Sequence, residues 1–144
     1  MPAFYTSLAE MINEQKILDS NGLFYEAFNS QDLELMKKVW LDDPVVICIH
    51  PGWHVLKEYG PVMQSWEGIF QANFNQDIKV SDVNVACSQG QAWVSCQENL
   101  YSITSSGVQV SKIHATNLFQ QMDGEWKMIL HHASSMPTFS EEKE

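Results

Sequence analysis

The chain has 144 residues, 44% of them hydrophobic and 18% charged, which is typical of one folded domain and excludes a disordered chain. Eight Lys and Arg residues stand against 18 Asp and Glu residues, so the formal net charge is −10. Such an acidic surface repels phosphate backbones and anionic lipids, and we therefore expect neither nucleic acid nor a membrane as a partner.

No apolar run in the sequence is long enough to span a bilayer, and residues 1–16 do not resemble a secretory signal. Cys48, Cys87 and Cys96 form neither an even set nor a C-x-x-C pair, which favours reduced, buried thiols in a cytoplasmic protein. We expect a single domain over residues 1–144, with a core at about 8–137 and a polar tail at 138–144.

The first third of the chain carries a helical pattern. Ser7 and Glu10 have the spacing of a capping box, which predicts the start of a helix. An Asn-Gly pair at 21–22 interrupts the pattern and favours a break into two helices. Ser30 or Asp32 is expected to open the next helix.

The remainder of the chain is predicted to be mostly strands. A β-branched run at 45–50 predicts a buried strand, and Pro61 suits the first turn of a further helix. From residue 78 onward the hydrophobic period is two, with strands expected at about 78–88, 92–104, 108–122 and 125–134. Helices followed by an antiparallel meander define an α+β fold. The strands are separated by three hairpin-type dipeptides: Gln89-Gly90, Ser106-Gly107 and Asp123-Gly124.

If each dipeptide forms a two-residue loop, counting outward gives the register of the sheet. One face is then apolar and should be covered by the helices, and three polar residues interrupt it: Glu98, Asn117 and His132. Glu98 and His132 would flank Ala115 with backbones roughly 10 Å apart, which leaves room for a small ligand. A slip in the alternation at Ser81-Asp82 predicts a bulge, and a bulge at any point would swap the faces locally. The predicted apolar set is Val83, Val85, Val94, Cys96, Leu100, Ile113, Phe119, Trp126, Met128 and Leu130.

The opposite face is too polar for a core and too aromatic for an ordinary solvent-facing surface. This mixture predicts a homodimer that pairs through the outer face of the sheet. The residues predicted on it are Trp93, Gln97, Asn99, Tyr101, Lys112, His114, Thr116, Leu118, Ile129 and His131.

Several short stretches resemble the SnoaL-like proteins of the nuclear transport factor two-like superfamily. The most specific are His50-Pro51-Gly52-Trp53 and His131-His132-Ala133-Ser134, and the resemblance runs from about residue 20 to 137. It implies a cone-shaped, cystatin-like roll, in which a strongly curved antiparallel sheet wraps over N-terminal helices around an internal pocket, usually as a homodimer. It also implies a pocket for a small molecule, but the superfamily contains isomerases, dehydratases, cyclases and members without a known reaction.

The three inward polar residues are the catalytic candidates. Burial should raise the pKa of Glu98 into the range of a general base, or Glu98 instead holds the shape of the sheet through a hydrogen bond. His132 could exchange the proton or orient Glu98, and otherwise is a satisfied core histidine. Asn117 could donate to a substrate oxyanion, or it satisfies backbone groups nearby.

A second set of residues is predicted to bind the ligand. His50 ends a strand at the expected pocket mouth, with Trp53 and Trp66 as apolar walls or, alternatively, as core. His54 directly follows the HPGW stretch, where the family usually has an acidic or apolar residue. Trp126 completes the set, and no metal or other cofactor is expected.

Two functions remain open from the sequence. One is a cofactor-free acid–base enzyme, of the isomerase, dehydratase or cyclase type, that acts on a small and mostly apolar substrate. The other is a non-catalytic dimerisation or ligand-binding module.

Overall fold

Three helices pack against one face of a curved, six-stranded mixed sheet in the computed structural model, which describes residues 7–72 and 75–137. The predicted α+β class is confirmed. The helices are α1 (Leu8–Ser30), α2 (Leu33–Val39) and α3 (Tyr59–Ala72). The strands are β1 (Ile47–Ile49), β2 (Leu56–Lys57), β3 (Gln76–Ser88), β4 (Gln91–Thr104), β5 (Gly107–Met122) and β6 (Glu125–Ser135). The predicted polar tail at 138–144 lies outside the described residues.

Helix α1 begins where the sequence predicts but does not break. The capping box is present, since Ser7 Oγ accepts from the Glu10 N–H and the Glu10 side chain accepts from the Ser7 N–H. The expected break at 21–22 is wrong, because Asn21 is buried and hydrogen-bonded to the sheet, which outweighs the low helix propensity of the pair. Asp32 caps α2 as predicted.

The sheet has the order β2-β1-β6-β5-β4-β3, and its four long strands form the predicted antiparallel meander. The sheet as a whole is mixed, because β1 pairs with β6 in parallel. Strand β1 reaches β6 only after the whole meander, so no tight turn fixes its direction. This pairing places Cys48 beside His131 and Ile49 beside His132.

The second hairpin keeps the predicted faces, and the first keeps them between its turn and a bulge in β3. Cys87 opposes Ala92 as predicted, and the slip in β3 is confirmed as a register shift between Ser81 and Asn84. Because of this bulge, Val83 is exposed rather than on the apolar face. In the next hairpin Thr104 pairs with Gly107, so the loop lies one residue before its predicted place and every pairing shifts by two residues. A shift of two residues leaves every side chain on its predicted face.

The last hairpin changes faces partway along. Asp123 and Gly124 form its turn with positive φ values of 52° and 80°, and Phe119 opposes Met128 as predicted. A bulge between Leu118 and Phe119 then leaves Ile129 as an extra residue. Beyond it every side chain of β6 lies on the face opposite to the predicted one. Leu130 therefore faces outward beside Leu118, and His131 faces the helices.

The core lies between the helices and the inner face of the sheet. Trp40, Phe24, Phe119, Ile17 and Met36 are among its largest fully buried side chains. Cys48 and Cys96 are buried free thiols, as predicted, whereas Cys87 is half-buried. Within the described ranges, no helix is both long and apolar enough to cross a bilayer.

Candidate functional site

A cavity of about 560 Å³ opens between α1, α3 and the inner face of β4–β6. Phe24, Phe28 and Trp66 form its aromatic wall, and the Trp66 ring lies 5.4 Å from that of Phe24 between ring centroids. Trp53 is 48% exposed and stands at its mouth. The cavity is therefore lined mostly by apolar groups, as is typical of a small-molecule site.

Two buried polar side chains, Glu98 and His131, line this cavity, and Tyr25 and Asn117 are buried against them; we call these four side chains the floor. The Tyr25 hydroxyl donates to Glu98 Oε2 at 2.6 Å. Asn117 lies opposite His131 in the β5–β6 register, with Asn117 Oδ1 2.6 Å from His131 Nδ1. Helix α1 supplies the tyrosine and three adjacent strands supply the other three side chains, so the fold holds the floor in a fixed geometry.

The hydrogen bonds of Asn117 fix the protonation of His131. Asn117 Nδ2 donates to Asn21 Oδ1 at 2.8 Å and to the Tyr25 hydroxyl at 3.2 Å. The amide oxygen can only accept, so His131 donates from Nδ1 and its Nε2 carries a lone pair. Complete burial, with contributions from the charges of His50 and His132, lowers the pKa of His131 to about 3, and the ring is neutral at neutral pH.

Glu98 combines burial with a free oxygen. Desolvation raises the pKa of the Glu98 carboxyl to about 7, although the hydrogen bond from Tyr25 opposes the shift. Within the described residues Glu98 Oε1 has no hydrogen-bond partner, and Glu98 forms part of the cavity wall. A carboxylate in this environment can take up and release a proton near neutral pH.

His50 lies in the cavity wall between the floor and the mouth. Its Nε2 is 2.9 Å from Ser65 Oγ, and that hydroxyl donates to the Val62 carbonyl at 2.7 Å. His50 must therefore donate from Nε2 to Ser65. Burial lowers the pKa of His50 to about 4, and its ring packs edge-on against Trp53 and Trp66 with centroids 4.6 Å away in both cases.

The structure corrects two of the catalytic candidates. His132 is exposed on the outer face because of the bulge in β6, and His131 takes the inner position expected for it. Asn117 is inward, but both of its N–H groups are used within the floor, so it cannot donate to an oxyanion. Asn117 is hydrogen-bonded instead to Tyr25 and His131.

The predicted ligand-binding residues divide into two groups. His50, Trp53 and Trp66 line the cavity, although Trp66 is also a core residue packed on Phe70. His54 is exposed and lies outside the cavity wall. Trp126 is buried at the other side of α1, beside Ser20, whose hydroxyl donates to its carbonyl.

Sequence reasoning missed four polar residues of the site: Asn21, Tyr25, Ser65 and His131. Asn21 and Tyr25 are one helical turn apart on the buried face of α1, and two polar groups on an apolar helix face could have been noticed. His131 could not have been found without the bulge, since the alternation of β6 alone points it outward.

The arrangement can perform proton transfer. Glu98 Oε1 is a proton acceptor in the wall of an apolar cavity, whereas His131 Nε2, with a pKa of about 3, is a hydrogen-bond acceptor and a weak base. In residues 7–72 and 75–137, no three His, Cys, Asp or Glu side chains are grouped as metal ligands.

Known proteins resemble this chain over most of its length. A model of the SnoaL-like domain matches residues 17–138. The F-box protein SKIP8 of Arabidopsis thaliana is 29% identical over 120 residues, covering 83% of this chain and 49% of that protein. The chain thus spans about half the length of that curated relative.

Two solved structures are similar in both fold and sequence. A candidate dehydratase of the NTF2-like family from Streptomyces avermitilis has a TM-score of 0.80 and 30% identity, covering 86% of this chain and 97% of that one. A candidate calcium/calmodulin-dependent protein kinase type II association domain from Thiobacillus denitrificans has a TM-score of 0.75 and 29% identity, covering 82% and 93%. Together with the domain match, they show that the chain belongs to the SnoaL-like domain family of the NTF2-like superfamily.

Proposed function

We propose that this protein is a cofactor-free acid–base enzyme that binds a small, mostly apolar molecule and transfers a proton within it. Glu98 is the general base, and the reaction is an isomerisation or a dehydration. His131 offers a hydrogen-bond acceptor to the substrate through Nε2, while Tyr25 and Asn117 position Glu98 and His131. His50, Trp53 and Trp66 contact the substrate.

One observation carries this proposal: a buried carboxyl with a free oxygen and a pKa of about 7 lies at the end of an apolar cavity. A base works best when its pKa is near the working pH, since it is then both ionised and able to hold the proton. Such pKa shifts are concentrated at functional sites, although structural groups show them too. The likeness to a candidate dehydratase agrees with a proton-transfer reaction.

The proposal can be tested without the natural substrate by using 5-nitrobenzisoxazole. A base removes the ring C–H proton, the N–O bond breaks, and a nitrile and a coloured phenoxide form, so no further reactant is needed. We expect turnover that rises with pH to a plateau above about 7, as Glu98 ionises. Glu98→Gln should reduce the rate by roughly 100-fold or more.

The matched control is Glu67→Gln, which removes an exposed carboxylate on α3 and should leave the rate unchanged. Tyr25→Phe supplies an independent variant, because losing its hydrogen bond should move the midpoint of the pH profile upward. Turnover that survives Glu98→Gln, or a midpoint that Tyr25→Phe leaves in place, would reject Glu98 as the base.

A non-catalytic ligand-binding or dimerisation module is the second candidate. It is favoured by the lack of a free donor on the floor, since a developing oxyanion there would find no N–H or O–H group. The likeness to a candidate association domain points the same way. A bound small molecule in native mass spectrometry, without benzisoxazole turnover, would support this candidate.

We further propose that two copies pair through the outer face of the sheet. The central strands β4 and β5 carry one carboxylate, Glu98, and it faces inward. Two strongly acidic chains can therefore approach at this face without opposing carboxylates from β4 and β5. Trp93, 44% exposed, lies opposite Leu118.

Light scattering after size-exclusion chromatography tests this interface. The wild type should be a dimer, and Trp93→Glu should yield monomers because it places like charges opposite each other. Gln89→Glu, at the exposed β3–β4 turn, adds the same charge elsewhere and should remain dimeric. A monomeric wild type would contradict the proposal.

A further inference from the structure

Every hydrogen-bond donor of the floor is already used inside the protein. Tyr25 donates to Glu98, and both N–H groups of Asn117 donate to Asn21 and Tyr25. His131 donates to Asn117 Oδ1. His50, beside the floor, donates to Ser65. A ligand that reaches the inner end of the cavity therefore meets no free N–H or O–H group from these residues.

Two acceptors are left over. Within the described residues, neither Glu98 Oε1 nor His131 Nε2 has a hydrogen-bond partner. Both side chains are 3% exposed, and both lie in the cavity wall. Neither atom is among the fully buried unpaired polar atoms of the described residues, so both are open to the cavity. A ligand that fills the cavity and displaces water from these two acceptors gains more if it hydrogen-bonds to them than if it leaves them unpaired.

The charges around the cavity argue against an anionic group at the inner end of the ligand. Of the described residues that line it, none is Lys or Arg, and the ionisable carboxyl among them is Glu98. A carboxylate or phosphate at the inner end would lose its hydration, meet no cation and lie beside a carboxyl group. Free polar groups occur instead at the mouth, where Ser111 and Ser135 are exposed.

We propose that the floor recognises a hydrogen-bond donor: the ligand is a mostly apolar molecule whose inner end carries a hydroxyl or N–H group and no anionic group. This inference rests on the proposed ligand cavity and names its ligand class. The donor hydrogen-bonds to Glu98 Oε1 or His131 Nε2, and the apolar body lies along Trp66, Phe24 and Phe28. Any acceptor or anionic group of the ligand faces the mouth.

Three matched probes test the inference: 2-naphthol, which has a donor, 2-methoxynaphthalene, which has only an acceptor, and 2-naphthoate, which is anionic. Binding is followed at about pH 8 by NMR of the tryptophan indole N–H signals, with the Trp66 signal assigned by Trp66→Phe. We expect 2-naphthol to bind about tenfold more tightly than the methyl ether and 2-naphthoate to bind least. At about pH 6, where Glu98 is protonated and can donate, the preference for the naphthol should shrink.

Glu98→Gln should reduce the tenfold preference to below about threefold, because its amide supplies both a donor and an acceptor, and Glu67→Gln should preserve it. Equal binding of the naphthol and its ether to the wild type, tighter binding of 2-naphthoate, or no binding of any probe would each overturn the inference. The proposed reaction is judged by a different result. If the wild type shows the donor preference but does not turn over 5-nitrobenzisoxazole, catalysis is rejected and the ligand class is retained.

Discussion

The floor of the cavity and its mouth hold polar groups in opposite ways. On the floor, Tyr25, Asn117 and His131 are hydrogen-bonded to one another and to neighbours, and little of them is exposed. At the mouth, Ser111 and Ser135 are exposed, and Trp53 is about half exposed. Water can replace a lost partner at the mouth but not on the floor.

One end of the cavity is therefore rigid, and the other end is adaptable. The floor has fixed tautomers and fixed acceptors, so it can discriminate between ligands by hydrogen bonding. The mouth can tolerate varied groups, since its side chains keep contact with solvent. The same kind of substitution should therefore lower the free energy of unfolding more on the floor than at the mouth.

The largest contrast is expected between two asparagines that each make three side-chain hydrogen bonds. Asn117 bonds Asn21, Tyr25 and His131 on the inner face, whereas Asn99 bonds Lys79, Ser81 and Gln97 on the outer face. Asn117→Leu should lower the free energy of unfolding by about 3–5 kcal/mol, because several buried partners lose their bonds. Asn99→Leu should cost less than about 1 kcal/mol. Urea unfolding measures both, and equal losses would show that the inner network is not special.

Two neighbouring histidines on β6 give the next contrast. His131 is 3% exposed with its ring 4.7 Å from that of Phe24, and His132 is exposed. His131→Ala should cost about 2–3 kcal/mol of unfolding free energy, since it removes a packed ring and a hydrogen bond. His132→Ala should cost less than about 0.5 kcal/mol. The reverse order in thermal or urea unfolding would mean that the bulge in β6 is misplaced.

These two histidines also show where prediction from the sequence succeeds and where it fails. The hairpin between β4 and β5 has its loop one residue before the predicted position, which shifts the pairing by two residues, yet Glu98 and Asn117 still face inward because the side-chain period is two. The hairpin between β5 and β6 has its turn at the predicted place, yet one bulged residue, Ile129, reverses the faces beyond it.

The difference has a physical origin. A turn such as Asp123-Gly124 leaves a local signature, because its positive φ values favour particular residues. The bulge at Ile129 serves long-range packing, as it brings His131 against Asn117 and Phe24, and no local residue type marks it. The starts of α1 and α2, the meander and two members of the floor were therefore predictable, whereas the unbroken course of α1, the position of His131 and the parallel pairing of β1 were not.

The pH dependence of stability tests the buried charges of the floor. Glu98 has a pKa of about 7 in the folded state against an ordinary 4.5, so between these values the folded state holds one more proton. His50 and His131, at about 4 and 3 against an ordinary 6.5, make the unfolded state hold two more protons above pH 4.5. From pH 4.5 to 6.5 the net difference is one proton, and stability should rise by about 1 kcal/mol per pH unit.

Glu98→Gln removes the opposing contribution and should roughly double that slope to about 2–3 kcal/mol per pH unit. The measurement is urea unfolding of both proteins at several pH values in this window. Glu67→Gln, at an exposed site, should keep the wild-type slope. An unchanged slope in Glu98→Gln would show that the folded state does not raise the pKa of Glu98.

The smallest effect is expected at the His50–Ser65 pair, which lies between the two regions. The His50 ring is buried but its partner Ser65 is half-buried, and the cavity beside them can admit water. Ser65→Ala should therefore cost about 0.5–1 kcal/mol of unfolding free energy, because water can accept the freed N–H of His50. Ser111→Ala at the mouth should have no measurable effect. If Ser65→Ala destabilised the protein as much as Asn117→Leu, the fixed network would extend from the floor to His50, and His50 would belong with the groups that discriminate between ligands.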